Sequence, residues 1–180
     1  QKRIQDDGLK DEHELQSWFV KRIEKYVNSK GKKLIGWDEI MEGGLSETAT
    51  VMYWRSWQKE VAKKIPTLSN NMIMSPTSYS YFDYLNEKIS TEKVYMTNPV
   101  PEGIKKKNSN KVLGVQANFW SHLARIPPQI DRQLFPRLIA LSEIAWTNNE
   151  QKDWNDFQNR LQARLKSLDI MGIYYFSVTD

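Results

Sequence analysis

Four short apolar runs constrain this chain more than any other feature, because each stops on polar or aromatic residues. They are Lys33-Leu34-Ile35-Gly36-Trp37-Asp38-Glu39, Ala49-Thr50-Val51-Met52-Tyr53-Trp54, Asn71-Met72-Ile73-Met74-Ser75-Pro76 and Val112-Leu113-Gly114-Val115-Gln116-Ala117-Asn118-Phe119-Trp120. Apolar runs of this length between turn formers predict buried strands. In a β/α barrel the side chains that do chemistry emerge at the C-terminal ends of the strands. The recurrence of that pattern is the main functional signal in the chain.

Helices alternate with these strands. Leu15, Trp18, Phe19, Ile23, Tyr26 and Val27 recur at three and four, so the spacing predicts an amphipathic helix over 12–30, stopped by Gly31. Residues 57–65 read as a short helix ended by Pro66, 134–146 as a helix with Pro136 in its first turn, and 154–168 as the last helix. Residues 40–48, with Gly43-Gly44, read as a loop, and 75–110 as a long, mostly irregular segment broken by prolines. Ile173-Tyr174-Tyr175-Phe176 reads as an apolar extended tail. Helix-then-strand order defines an α/β chain, yet four strands are too few for a barrel of eight.

A length of 180 residues with 39% hydrophobic and 27% charged residues describes one soluble globular domain with a real core, with no second domain expected. The net charge of +4 is mild and scattered, and no nucleic-acid motif is present. Without cysteine there is no thiolate metal site and no cysteine nucleophile. The two histidines, His13 and His122, make no metal-ligand spacing. No phosphate loop or nucleophile elbow appears, so neither a metal nor a cofactor is expected. No apolar stretch approaches a membrane span, and any export signal would lie upstream of residue 1.

Seven tryptophans make indole the unusual resource here. Trp18 and Trp154 fall on helical apolar faces and are expected in the core, whereas Trp37, Trp54 and Trp120 fall at strand ends. Flat indole faces suit the C–H patches of sugars. Asp38 and Glu39 read either as a ligand-facing carboxylate with its neighbour turned away, as on a strand, or as a helix-start or surface pair. In Ser78-Tyr79-Ser80-Tyr81-Phe82-Asp83-Tyr84, alternation would put Tyr81 and Asp83 on one face. A phenol and a carboxylate there could serve a sugar's carbonyl and hydroxyls. The residues alone favour the blander reading, an aromatic-rich loop packed on its own strand.

Taken together, these pieces resemble the C-terminal half of the catalytic barrel of family 20 glycoside hydrolases, the β-N-acetylhexosaminidases. The resemblance rests on Glu14-Leu15-Gln16-Ser17, Gly36-Trp37-Asp38-Glu39-Ile40, Val51-Met52-Tyr53-Trp54-Arg55, Met74-Ser75-Pro76 with Tyr81-Phe82-Asp83, Gly114 through Trp120, Phe135-Pro136-Arg137-Leu138 and Leu141 through Trp146. It implies that the four strands are the last four of a TIM (β/α)8 barrel, with residues 1–180 a partial catalytic domain. It implies a substrate ending in N-acetylglucosamine or N-acetylgalactosamine, whose own acetamido oxygen is the nucleophile, so that configuration is retained. Trp37, Trp54 and Trp120 would wall the pocket, Tyr81 would donate to the acetamido carbonyl as the catalytic residue, and Asp83 would accept from sugar hydroxyls. Glu143 and Trp146 would be structural, in a helix covering the barrel.

Two departures stand out. The family's His-x-Gly-Gly-Asp-Glu run and its sugar-binding arginine from the first strand are absent, and Asp38-Glu39 is not the catalytic pair. The chain is therefore expected to be a fragment, inactive alone. After Trp120 the family carries Thr-Glu or Gly-Glu, where this chain has Ser121-His122, so His122 takes the substrate-binding place of a glutamate. Two further readings stand beside the enzyme fragment: a non-catalytic carbohydrate-binding module, and a structural half-barrel that forms homo-oligomers through its exposed edges. An exported, bacterial location is implied by the resemblance alone.

Overall fold

A computed structural model describes residues 2–122 and 124–177 of the chain. Two compact units emerge: one runs to Met74 and includes Pro101–Leu113, and the other comprises Ser75–Val100 and the chain from Gly114.

The first unit opens with α1 (Lys2–Asp6) and α2 (Glu12–Ser29). Asp11 caps α2 by accepting from the Glu14 amide at 2.9 Å, and Glu12 and Glu14 place negative charge at the positive end of the helix. Gly31 ends it with φ +68°. The helix is where its periodicity predicts, but its apolar face is not in a core: Phe19 is 58% and Tyr26 64% exposed. The buried positions are polar instead. Ser17 donates to the Glu42 carbonyl, and the Glu24 carboxylate accepts from the Thr48 hydroxyl. Trp18, expected in the core, is only partly buried, under the guanidinium groups of Arg3 and Arg22 at 5.2 and 4.7 Å from its ring.

The strands follow: β1 (Ile35–Trp37), β2 (Thr50–Tyr53) and β3 (Met72–Met74), paired in parallel with Gly36 opposite Val51 and Met52 opposite Ile73. Gly36 is required by a close approach, since a Cβ there would meet Ile40 Cγ2 at 2.6 Å. The short helix between β2 and β3 is α3 (Lys59–Lys64), continued by one 3-10 turn that contains Pro66. Val51 and Met72 are fully buried, as central parallel strands require. β4 (Val112–Val115) follows β3 in the sheet order.

In the second unit the sequence-based expectation needs one addition. Residues 75–100 are mostly irregular, as expected, with one short helix, α4 (Thr91–Met96), capped by Ser90, whose hydroxyl accepts from the Lys93 amide at 3.1 Å. The addition is α5 (Pro127–Leu134); the helix expected at 134–146 is α6 (Arg137–Trp146), which starts just after the cis Phe135–Pro136 bond. Proline at the start of α5 is a helix opener, because the first turn needs no amide donor there. α7 (Trp154–Met171) runs as its periodicity predicts and ends at Gly172 in the left-handed region. The core packs Phe82, Val94, Tyr95, Ile144, Phe157 and Leu161 together, with Trp154 partly buried against it. Residues 173–177 extend without forming a strand.

Candidate active site

The predicted site residues fall in two clusters, each within one unit. In the first unit Trp37 closes β1, and the backbone then turns at once into a 3-10 helix over Asp38–Met41. Asp38 and Glu39 therefore do not alternate across a strand. Asp38 is fully buried and faces the protein, not a ligand: its Oδ2 accepts from the amides of Trp54 (2.8 Å) and Arg55 (3.0 Å), and its Oδ1 takes Arg55 Nε. Glu39 accepts from the Trp54 indole N–H at 2.9 Å. Glu42 binds Arg55 Nη1 and lies 3.3 Å from His13 Nδ1. Burial pulls the Arg55 guanidinium pKa down, but its hydrogen bonds to Glu42 and Asp38 outweigh that and carry it above the ordinary value. Burial, helped by the Asp38 charge, pushes the Tyr53 phenol up.

This network grips Trp54 at both its amide and its indole nitrogen. The Trp54 ring meets Trp37 edge-on, with centroids 5.9 Å apart, and Trp57 edge-on at 4.8 Å. Such edge-to-face pairs fix ring planes. Trp37 is 36% and Trp57 56% exposed, so indole surface remains open to a ligand. Sequence reasoning took Trp57 only as the start of a helix. Its spacing of three from Trp54 was the available signal.

In the second unit Tyr81 is 6% and Asp83 5% exposed. Tyr81 pairs with Asn118 as an isolated parallel bridge, with Phe82 N–H donating to Asn118 O and Asn118 N–H to Ser80 O, both at 2.8 Å. The Asn118 side chain in turn donates to Ser75 Oγ, which donates to the Gln116 carbonyl at 3.0 Å. Asn118, just past the end of β4, thus holds Tyr81 in place. Immediately after it the chain turns, so strand alternation does not order Tyr81 and Asp83. Asp83 Oδ2 stands 3.9 Å from His122 Nε2. Asp83 Oδ1 is buried with no hydrogen-bond partner among the described residues. Trp120 is 53% exposed and accepts from the His122 amide through its carbonyl at 2.9 Å. Glu143 binds Arg160 through both carboxylate oxygens, whereas Trp146 is 91% exposed.

The parallel sheet fits part of a β/α barrel, and each unit carries aromatic side chains of the kind that line sugar sites. The chain belongs to glycosyl hydrolase family 20: the model of that family's catalytic domain matches residues 1–149. It is 42% identical to a beta-hexosaminidase of Porphyromonas gingivalis over 97% of this chain and 24% of the relative. A beta-N-acetylhexosaminidase of Cellulomonas fimi is 27% identical over 93% of this chain and 36% of its own length. Among solved structures, the Vibrio harveyi exo beta-N-acetylglucosaminidase in complex with N-acetylglucosamine superposes with a TM-score of 0.85 at 25% identity, covering 98% of this chain and 30% of that one. The chain thus spans 24% to 36% of the length of these three proteins, and its four-stranded α/β fold fits a partial TIM-barrel domain.

Proposed function

We propose that this chain is part of a retaining exo-glycosidase that removes terminal non-reducing N-acetyl-D-hexosamine from N-acetyl-β-hexosaminides. The observation that carries this reading is the 42% identity to the Porphyromonas gingivalis beta-hexosaminidase across 97% of the chain. In this reading the acetamido oxygen of the sugar is the nucleophile, and Tyr81 donates to the acetamido group so that the oxygen is held against the anomeric carbon. Asp83 Oδ1 is a buried acceptor that a sugar hydroxyl satisfies. His122 sits at the rim of that carboxylate and Trp120 offers a ring face. Trp37 and Trp54 supply further indole surface, with Trp54 oriented by Glu39. The general acid belongs to the catalytic Asp-Glu pair of the family, which these 180 residues do not contain. Export of the enzyme from a bacterial cell is the family-level expectation, checked by fractionating the host.

The test is hydrolysis of an aryl N-acetyl-β-D-glucosaminide by the longer enzyme that carries this sequence, beside the 180-residue chain. The longer enzyme is expected to release the aryl alcohol and the chain alone to release none. A longer protein that binds N-acetylglucosamine without turnover would replace this reading with that of a carbohydrate-binding module.

We also read residues 1–180 as one partial catalytic domain carrying the last four strands of a barrel. Phe19, Tyr26 and Ile35 in the first unit are more than half exposed, as side chains awaiting cover are. The isolated chain is accordingly expected to form homo-oligomers. Light scattering across a dilution series should give a mass above the 21.2 kDa of one chain, and a monomer at every concentration would sink the idea.

A further inference from the structure

Arg137 opens α6 and is fully buried. A guanidinium carries five N–H donors and is costly to bury unless they are satisfied. No carboxylate bonds to it among the described residues; its partners are carbonyls. Nη2 donates to Phe82 O and Nη1 to Tyr84 O, both at 2.8 Å, and Nη1 also reaches Ile89 O at 3.2 Å. Nε and Nη2 bind Gln133, whose amide oxygen accepts at 3.0 Å and keeps the fork aligned. The guanidinium carbon lies 4.8 Å from the Phe82 ring centre. Burial lowers its pKa to about 10, against the fields of Asp83 and Glu87, so the group is charged at neutral pH.

Three of those carbonyls belong to residues 82–89, a stretch of turns with no helix or strand of its own. Buried carbonyls without ladder partners need donors from elsewhere, and Arg137 provides them. Two of the three, Phe82 and Tyr84, flank Asp83 on either side. We propose that Arg137 is a positioning residue: by clamping the backbone on both sides of Asp83 it fixes where that carboxylate meets the sugar. The proposal rests on the reading of Asp83 as the acceptor of sugar hydroxyls. Lysine could not do the same work, because one ammonium nitrogen cannot span three carbonyls as a planar fork does.

The experiment is a double-mutant cycle in the longer enzyme, read as kcat/KM on an aryl N-acetyl-β-D-glucosaminide. Arg137→Lys is expected to lower it by about 100-fold, the scale of a 1 Å misplacement. On an Asp83→Asn background the same change should cost less than about threefold, because the two act through one contact. Gln133→Ala removes a single anchor of the guanidinium and is the milder probe should Arg137→Lys fail to fold. Its smaller loss should vanish on the same background. Losses that simply add would assign Arg137 to general stability and overturn the proposal. If the unmutated enzyme hydrolyses nothing, the glycosidase reading fails by itself. Arg137 is then read by hydrogen exchange in the 180-residue chain. Arg137→Lys should speed exchange of the Phe82, Tyr84 and Ile89 amides and leave α7 unchanged, and uniform or unaltered exchange would overturn the clamp.

Discussion

Replacing Asp38 with alanine is expected to remove about 3–5 kcal/mol of stability, the cost of breaking a buried ion pair by deleting one partner. Three consequences add in one place. The amides of Trp54 and Arg55 lose their acceptor, and Arg55 Nε loses its carboxylate. Arg55 Nη2 already has no partner among the described residues, so the guanidinium has little to fall back on beyond Glu42 and the Glu39 carboxylate 3.8 Å from its Nε. A loss of this size is a large part of the 5–15 kcal/mol that holds an ordinary domain together, so the unit containing β1–β3 should open far more readily. Asp38→Asn keeps the size and one acceptor oxygen, and it should fall between wild type and alanine. Urea unfolding followed by tryptophan emission checks this, since Trp37, Trp54 and Trp57 report on the same spot. A midpoint for Asp38→Ala within about 1 kcal/mol of wild type would show that the network is worth no more than an exposed pair.

That result would also bear on why the sequence left the carboxylate pair open between a ligand-facing strand end and a helix start. Asp38 and Glu39 follow a strand, and strand periodicity sends neighbours to opposite faces. A 3-10 turn begins there instead. The sequence offered a helix start only as one alternative, because the partner that fixes the Asp38 carboxylate, Arg55, lies seventeen residues on. Arg137 is a stronger instance. In sequence it is an ordinary polar residue of a family motif, and only its carbonyl partners at Phe82, Tyr84 and Ile89 explain why an arginine is fully buried. The parts that were legible have local causes. The ends of α2 follow from Asp11 and Gly31, and the face of α7 follows from Phe157, Leu161 and Leu165. The short α4 has too few residues for a period to show, and the Pro127-Pro128 opening of α5 looks like a breaker until it is placed in a first turn. The exposed stripe of Phe19, Ile23 and Tyr26 on α2 teaches the converse. Periodicity foretold the helix and its apolar face but cannot say what that face is packed against.

Tyr81→Phe gives the largest expected effect on activity. The longer enzyme should lose about 100- to 1,000-fold in kcat on an aryl N-acetyl-β-D-glucosaminide, the range found when one donor to a developing charge is removed. The reasoning is positional. An acetamido oxygen can attack the anomeric carbon only from one rotamer, and a donor on that group selects it. Tyr81 is suited to the task because its backbone is pinned by Asn118 on both sides and its ring is buried. The substitution keeps the ring, so unfolding should move by no more than about 1 kcal/mol, the net worth of one hydrogen bond. The split between kcat and KM decides what the phenol does. A fall in kcat with little change in KM means that its bond strengthens as the oxygen attacks, whereas a rise in KM alone would make Tyr81 a contact that binds substrate and transition state equally. The latter outcome would leave the sugar-binding assignment standing and remove Tyr81 from the chemistry.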